Sequence, residues 1–307
     1  MFYMKRTLFA LLAVAVAPAA FAQYILAVDS GVDRIIKLDA QTGAVVDDFF
    51  IVDAASTTTY DFNLPKDVDV VGNEIWVTDQ SADAVFRFDH AGAYVGKITG
   101  GLDNIKGAAV VGNEYWVTNA GTANGAPGNS VVRFDLSGNN LGSFSTVGSL
   151  FDLMVVGNEV LATNITNFDI ERYSLTGSLL GAFHASDGVT GIDFGQQMTT
   201  VGSNVWAAGF SLPAGLYGYN AAGVQTNYFD VGLALRGLTR LGNGLMLSTG
   251  GTRLLTIDPV TGASVDIVNA TGRSFQYLTP FTPVPEPATM AVLALAAFLK
   301  RRKKNKA

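Results

Sequence analysis

The chain has 307 residues, 49% hydrophobic and 15% charged, so it can fill a large core and is not a disordered polyelectrolyte. With no cysteine and only two histidines, it has no disulfide framework, zinc–thiolate site, iron–sulfur cluster or cysteine nucleophile, and histidine-rich catalysis is disfavoured. The formal net charge of -6 argues against a nucleic-acid footprint, which needs a basic stripe.

At the N-terminus, Lys5 and Arg6 precede an apolar run over 8–16, and Ala20-Phe21-Ala22 places small residues where a signal peptidase reads. Residues 1–22 are read as a secretory signal peptide cleaved after Ala22. The run is shorter than the roughly 20 apolar residues of a spanning helix.

A repeat follows. Six apolar runs, at 25–29, 75–79, 115–119, 160–164, 205–209 and 246–250, end on Asp29, Asp79, Asn119, Asn164, Gly209 and Gly250, spaced 50, 40, 45, 45 and 41 positions apart. That is near the roughly 40 to 50 residues of a propeller blade. A second strand follows each run, and a glycine comes three or four residues after it: Gly43, Gly92, Gly138, Gly177, Gly223 and Gly262. Glycine at a fixed offset between apolar strands predicts tight hairpins.

Before five of the runs stands a further turn: Val71-Gly72-Asn73, Val111-Gly112-Asn113, Val156-Gly157-Asn158, Val201-Gly202-Ser203 and Leu241-Gly242-Asn243. The sixth is missing ahead of residue 25, which predicts that the segment 274–281 supplies the innermost strand of the first blade. The expected fold is therefore all-β, a propeller of six four-stranded blades over residues 23–283 with no long unpaired sheet edge. The repeat resembles NHL-type and YVTN-type propellers, most clearly in Trp76-Val77-Thr78-Asp79 and Tyr115-Trp116-Val117-Thr118-Asn119. That resemblance implies an architecture and carries no catalytic motif.

The turns between strands one and two and between three and four are short. Loops between strands two and three (120–130 above all) and between blades (51–64) vary, and in a propeller both classes share one rim. Ligand binding is expected there.

Residues 284–307 form the last unit: Pro285, Glu286 and Pro287, an apolar stretch over 290–299 and a basic tail over 300–306. The order resembles the PEP-CTERM sorting signal of exported bacterial proteins. It implies recognition of Pro285, Glu286 and Pro287 by an exosortase-type membrane enzyme, transient anchoring through a short transmembrane helix with the basic tail inside, and delivery to the cell surface or an extracellular polysaccharide matrix.

Asp29, Asp79, Asn119 and Asn164 occupy equivalent blade positions, and their oxygens suit a hard cation such as Ca²⁺. The competing reading is that they bond their own turn backbone; no calcium-loop spacing is present. No other cofactor is implied. Trp76, Trp116 and Trp206 share one strand position, fitting either an aromatic sugar platform or packing between blades. His90 and His184 show no triad relationship. The expected function is a non-enzymatic, exported surface or matrix protein whose propeller binds polysaccharide or protein. The alternative is a metal-dependent hydrolase or lactonase using the Asp29, Asp79, Asn119 and Asn164 end of the channel.

Overall fold

A computed structural model describes residues 22–53, 60–187, 189, 191–211 and 213–284. Ala20 and the Pro285, Glu286 and Pro287 motif, with the apolar stretch and basic tail after it, lie outside the described residues; Ala22 is the first described residue. No helix among the described residues is long and apolar enough to cross a membrane.

The described residues form six four-stranded antiparallel sheets arranged as the blades of a propeller. Blade two is β4 (Pro65–Val71), β5 (Glu74–Asp79), β6 (Ala84–Asp89) and β7 (Tyr94–Thr99), from the axis outwards. Blade three follows with β8 (Ala108–Val111), β9 (Glu114–Asn119), β10 (Ser130–Asp135) and β11 (Asn140–Ser145). Blade four is β12 (Leu150–Val156), β13 (Glu159–Asn164), β14 (Ile170–Ser174) and β15 (Leu179–His184). Blade five is β16 (Gly195–Val201), β17 (Asn204–Gly209), β18 (Gly215–Tyr219) and β19 (Gln225–Phe229). Blade six is β20 (Leu238–Arg240), β21 (Met246–Gly250), β22 (Arg253–Ile257) and β23 (Ser264–Asn269). Blade one joins both ends of the ring: β24 (Phe275–Phe281) lies innermost, then β1 (Tyr24–Asp29), β2 (Arg34–Asp39) and β3 (Val45–Val52).

The second strand of each blade is buried almost throughout because both of its faces are covered by neighbouring blades. In β5 and β9 every residue after the first is buried, whereas the outermost β11 is almost wholly exposed. The tryptophans are packing residues. Trp76 meets Tyr115 of the next blade edge-on, with ring centroids 4.8 Å apart. Trp116 and Trp206 pack into the clusters shared with blades four and six. Buried as they are, they offer no sugar platform.

The turn chemistry is local. Gly72, Gly112, Gly157 and Gly202 all hold φ between 60° and 62°, which a side chain resists and a two-residue hairpin requires. Blade six departs from this pattern. There the positive φ, 94°, falls on Gly244, and the Gly242 N–H donates instead to Ala40 O of blade one at 2.9 Å. This longer turn thus also contacts the next blade.

Closure is by backbone pairing. β24 runs antiparallel to β1, from Tyr24 opposite Phe281 to Asp29 opposite Phe275, with an irregularity between Ala27 and Asp29. Arg273, just before β24, ion-pairs with Asp29 and also with Asp48 at 2.7 Å, so the first and last parts of the ring meet in one charge cluster.

Candidate binding site at the channel mouth

Six dipeptides at the start of the inner strands line the axis: Lys66-Asp67, Lys106-Gly107, Phe151-Asp152, Gln196-Gln197, Arg236-Gly237 and Gln276-Tyr277. Successive side chains of an extended chain point in opposite directions, so the two positions have different tasks.

The second position clasps the neighbouring blade. Asp67 accepts the Ala108 N–H at 2.9 Å, Asp152 accepts the Met198 N–H at 2.8 Å, and the Gln197 carbonyl oxygen accepts from both Leu238 and Leu278 N–H at 2.9 Å. Where this position is Gly107, the backbone itself approaches, its N–H donating to Phe151 O at 2.8 Å. A Cβ there would stand 2.4 Å from that oxygen. Burial, reinforced by the neighbouring Asp69 and Asp152 carboxylates, pushes Asp67 well above the usual carboxylate range, and burial does the same to Asp152.

The first position faces the mouth. Lys66 Nζ donates to Gln276 Oε1 at 2.8 Å and reaches Gln196 Oε1 at 3.4 Å. Arg236 Nη1 donates to the same Gln276 oxygen at 2.9 Å. Lys106 Nζ bonds Asn104 O and Ser149 Oγ, both at 3.2 Å. Among the described residues, no carboxylate lies within ion-pair reach of any of the three cations, although seven other basic residues are so paired. Burial, with Arg236 and Lys106 nearby, draws the Lys66 ammonium well below the usual lysine range. Burial also lowers Lys106, to about 8, against the pull of Asp103. Arg236 is lowered by burial too, and its Nε is buried without a partner.

Aromatic rings border these cations. Lys66 and Lys106 lie over Phe151 at 5.4 and 4.9 Å from its centroid, and Arg236 lies over Phe210 at 4.9 Å. Phe194 links the two phenyl rings, 5.0 Å from Phe151 and 5.7 Å from Phe210. Phe194 and Phe210 are half-buried.

The mouth opens on the rim that carries both classes of variable loop, because each inner strand begins there and each second strand ends there. The four oxygen-bearing residues named from the sequence also lie on this rim, all buried, in four separate blades. Asp79 accepts from Asn63 and Leu64 N–H at 2.7 and 2.9 Å, tying the loop between blades one and two. Asp29 accepts from Gly31 and Ser274 N–H, Asn119 from Asp103 N–H and Asn164 from Thr166 N–H. They are thus engaged with turn and loop backbone, and no group of three or more acidic or histidine side chains among the described residues is placed to hold a metal. His184 Nδ1 lies 3.0 Å from Gly223 O of the next blade, while His90 Nδ1 accepts the Val284 N–H at 3.1 Å.

The mouth residues carry no local sequence signal. Lys66, Lys106 and Arg236 are each one basic residue in an unremarkable stretch, 40 and 130 positions apart. The usable clue is their offset: each stands 13 or 14 positions before the end of its blade's second strand, at Asp79, Asn119 and Gly250.

Further along the axis from the mouth lies a cavity of about 340 Å³ lined in part by Asp69, Asp152, Met154 and Pro280. Asp69 accepts the Tyr115 hydroxyl at 2.8 Å. Burial raises its carboxyl to about 7 in spite of that hydrogen bond.

No family model matches the chain, and no curated protein matches it in sequence. Solved structures do match in shape. A structure of the nidogen/laminin complex aligns with TM-score 0.67 at 13% identity, covering 83% of this chain and 97% of the other. A Bacteroides caccae protein of unknown function aligns at 0.59 and 13% identity, covering 85% and 99%. A streptogramin B lyase aligns at 0.55 and 14% identity, covering 81% and 84%. At these identities the likeness shows the six-bladed propeller fold alone.

Proposed function

We propose that this is an exported bacterial surface or matrix protein whose propeller is a binding module, recognising polysaccharide or another protein on the rim that carries the variable loops. The observation that carries the reading is the channel mouth: all six blades contribute one residue from an equivalent position, and three of those residues are cations without a carboxylate partner among the described residues. A layer built only for stability would pair or omit such charges. The inner strands, or the residues leading directly into them, hold these groups, as recognition demands. Export rests on the resemblance of residues 1–22 to a signal peptide, and surface sorting by an exosortase-type enzyme on the resemblance of residues 284–307 to a PEP-CTERM signal.

A screen of the purified 23–283 ring against glycans and against surface proteins of the native host tests the reading. Saturable binding of one partner, reduced by substitutions on the loop rim, is the expected result. Binding of no partner, or binding that only substitutions on the opposite face remove, would overturn it.

A further inference from the structure

We propose that the channel mouth is a site for a carboxylated sugar, with the carboxylate held by Lys66, Lys106 and Arg236 and the sugar ring laid against Phe194 and Phe210. The inference rests on the reading of this rim as the binding face and specifies what that face takes.

Charge is the first argument. Between residues 23 and 283 the chain carries 12 basic and 25 acidic residues, so the ring as a whole repels anions. Of the five basic residues there that make no ion pair among the described residues, three converge on this one mouth. Lys66 and Arg236 share a single neutral acceptor, Gln276 Oε1, at 2.8 and 2.9 Å. Two like charges on one amide oxygen form an arrangement that an anion relieves. The nearest internal carboxylate cannot serve, because Asp67 is turned aside onto the Val68 and Ala108 N–H groups at 2.8 and 2.9 Å.

Size and shape give the second argument. Lys66 and Lys106 are only 5% and 4% exposed, so a polyanion lying across the surface cannot reach them and a small anionic group suits the mouth better. The acidic ring around it disfavours a densely charged chain in any case. Beside the cations, Phe194 and Phe210 stand half-buried, and a phenyl face is a surface on which the C–H face of a sugar ring packs. A lone inorganic ion would use the cations and leave these rings idle. A carboxylate attached to a sugar ring uses both.

Proton balance follows from the same geometry. Lys66 faces Arg236, Lys106, Asp67 and Tyr277, and its tendency to lose its proton comes from burial and from the two other cations. An anion in the mouth restores the charged form, so binding is accompanied by proton uptake and weakens as pH rises through about 8, where Lys106 titrates.

The test uses the 23–283 ring and three probes: D-glucuronate, D-glucose and sodium sulfate. Ligand-observed NMR and calorimetry in two buffers of different ionisation enthalpy should find glucuronate bound at least about tenfold more tightly than glucose, with proton uptake and with sulfate competing. Lys66→Met and Arg236→Met should each weaken glucuronate and sulfate together by about tenfold. Phe210→Ala should weaken glucuronate while leaving sulfate unchanged. Thermal unfolding of each variant checks that the ring is intact, and Lys97→Gln, at an exposed lysine that makes no ion pair among the described residues, is the charge control. Glucuronate no tighter than glucose, or glucuronate binding unchanged in both cation variants, would overturn the proposal. So would sulfate binding without glucuronate binding, which would leave an inorganic anion site. A partner found in the broader screen whose binding survives Lys66→Met would leave the binding-module reading standing and sink this one alone.

Discussion

The Asp152 carboxylate accepts the backbone N–H of Met198, 46 residues later and one blade further round the ring, at 2.8 Å. It joins two innermost strands that share no ladder hydrogen bonds, and Gln197 repeats the arrangement towards blades six and one. The blades are therefore fastened to one another at the axis by side-chain oxygens as well as by apolar packing.

Asp152→Ala should destabilise the ring by about 2 kcal/mol, since it strands a buried N–H. Asp152→Asn retains a carbonyl oxygen, as Gln197 does naturally, and should recover most of the loss. Urea denaturation of the pair measures both, and equal losses in Ala and Asn would show that the clasp contributes nothing specific.

Closure should be indispensable. Deleting 274–282 removes β24 and exposes the whole inner edge of β1, so no cooperative thermal transition is expected. A milder probe is Arg273→Ala, which leaves the buried Asp29 carboxylate without its cation and should cost about 3 kcal/mol. A deletion variant that melts like the intact ring would refute closure by pairing of the first and last strands.

Stability should fall as pH rises from 5 to 8. A carboxyl whose folded value is raised binds more protons in the folded state than in the unfolded one, so its contribution is lost as pH climbs through the folded value. Asp69, raised to about 7 by burial, and Asp33, raised to about 6 by burial and neighbouring carboxylates, both act in this window. Asp69→Asn mimics the protonated acid and should flatten the dependence, leaving the variant no less stable than the parent at pH 8. A parent that is more stable at pH 8 than at pH 5, with the slope unchanged by Asp69→Asn, contradicts the assignment.

The sorting resemblance makes a mass prediction. Protein recovered from the surface of the native host should begin at Gln23 and lack the residues that follow the Pro285, Glu286 and Pro287 motif. An intact mass that includes 290–307 would refute C-terminal processing.

Much of the blade was legible because its causes are local. The residue at the end of each third strand or just after it, Asp39, Asp89, Asp135, Ser174, Asn220 or Asp258, accepts N–H groups from the turn that follows. With the glycine of that turn, each repeat fixes its own outer hairpin without help from other blades. Asp29 and Asp79 were harder to place, because an Asp after an apolar run bonds equally well to its own turn or to a neighbouring loop, and Asp79 does both.

The sequence by itself determined six blades, their turns and the closing strand, since apolar period and turn residues act within a few positions of one another. Only the tertiary structure decided that Lys66, Lys106 and Arg236 meet beside Phe151, Phe194 and Phe210. Each of these residues is isolated along the chain, and what brings them together is the packing of whole blades around an axis, a global geometry that no single repeat encodes.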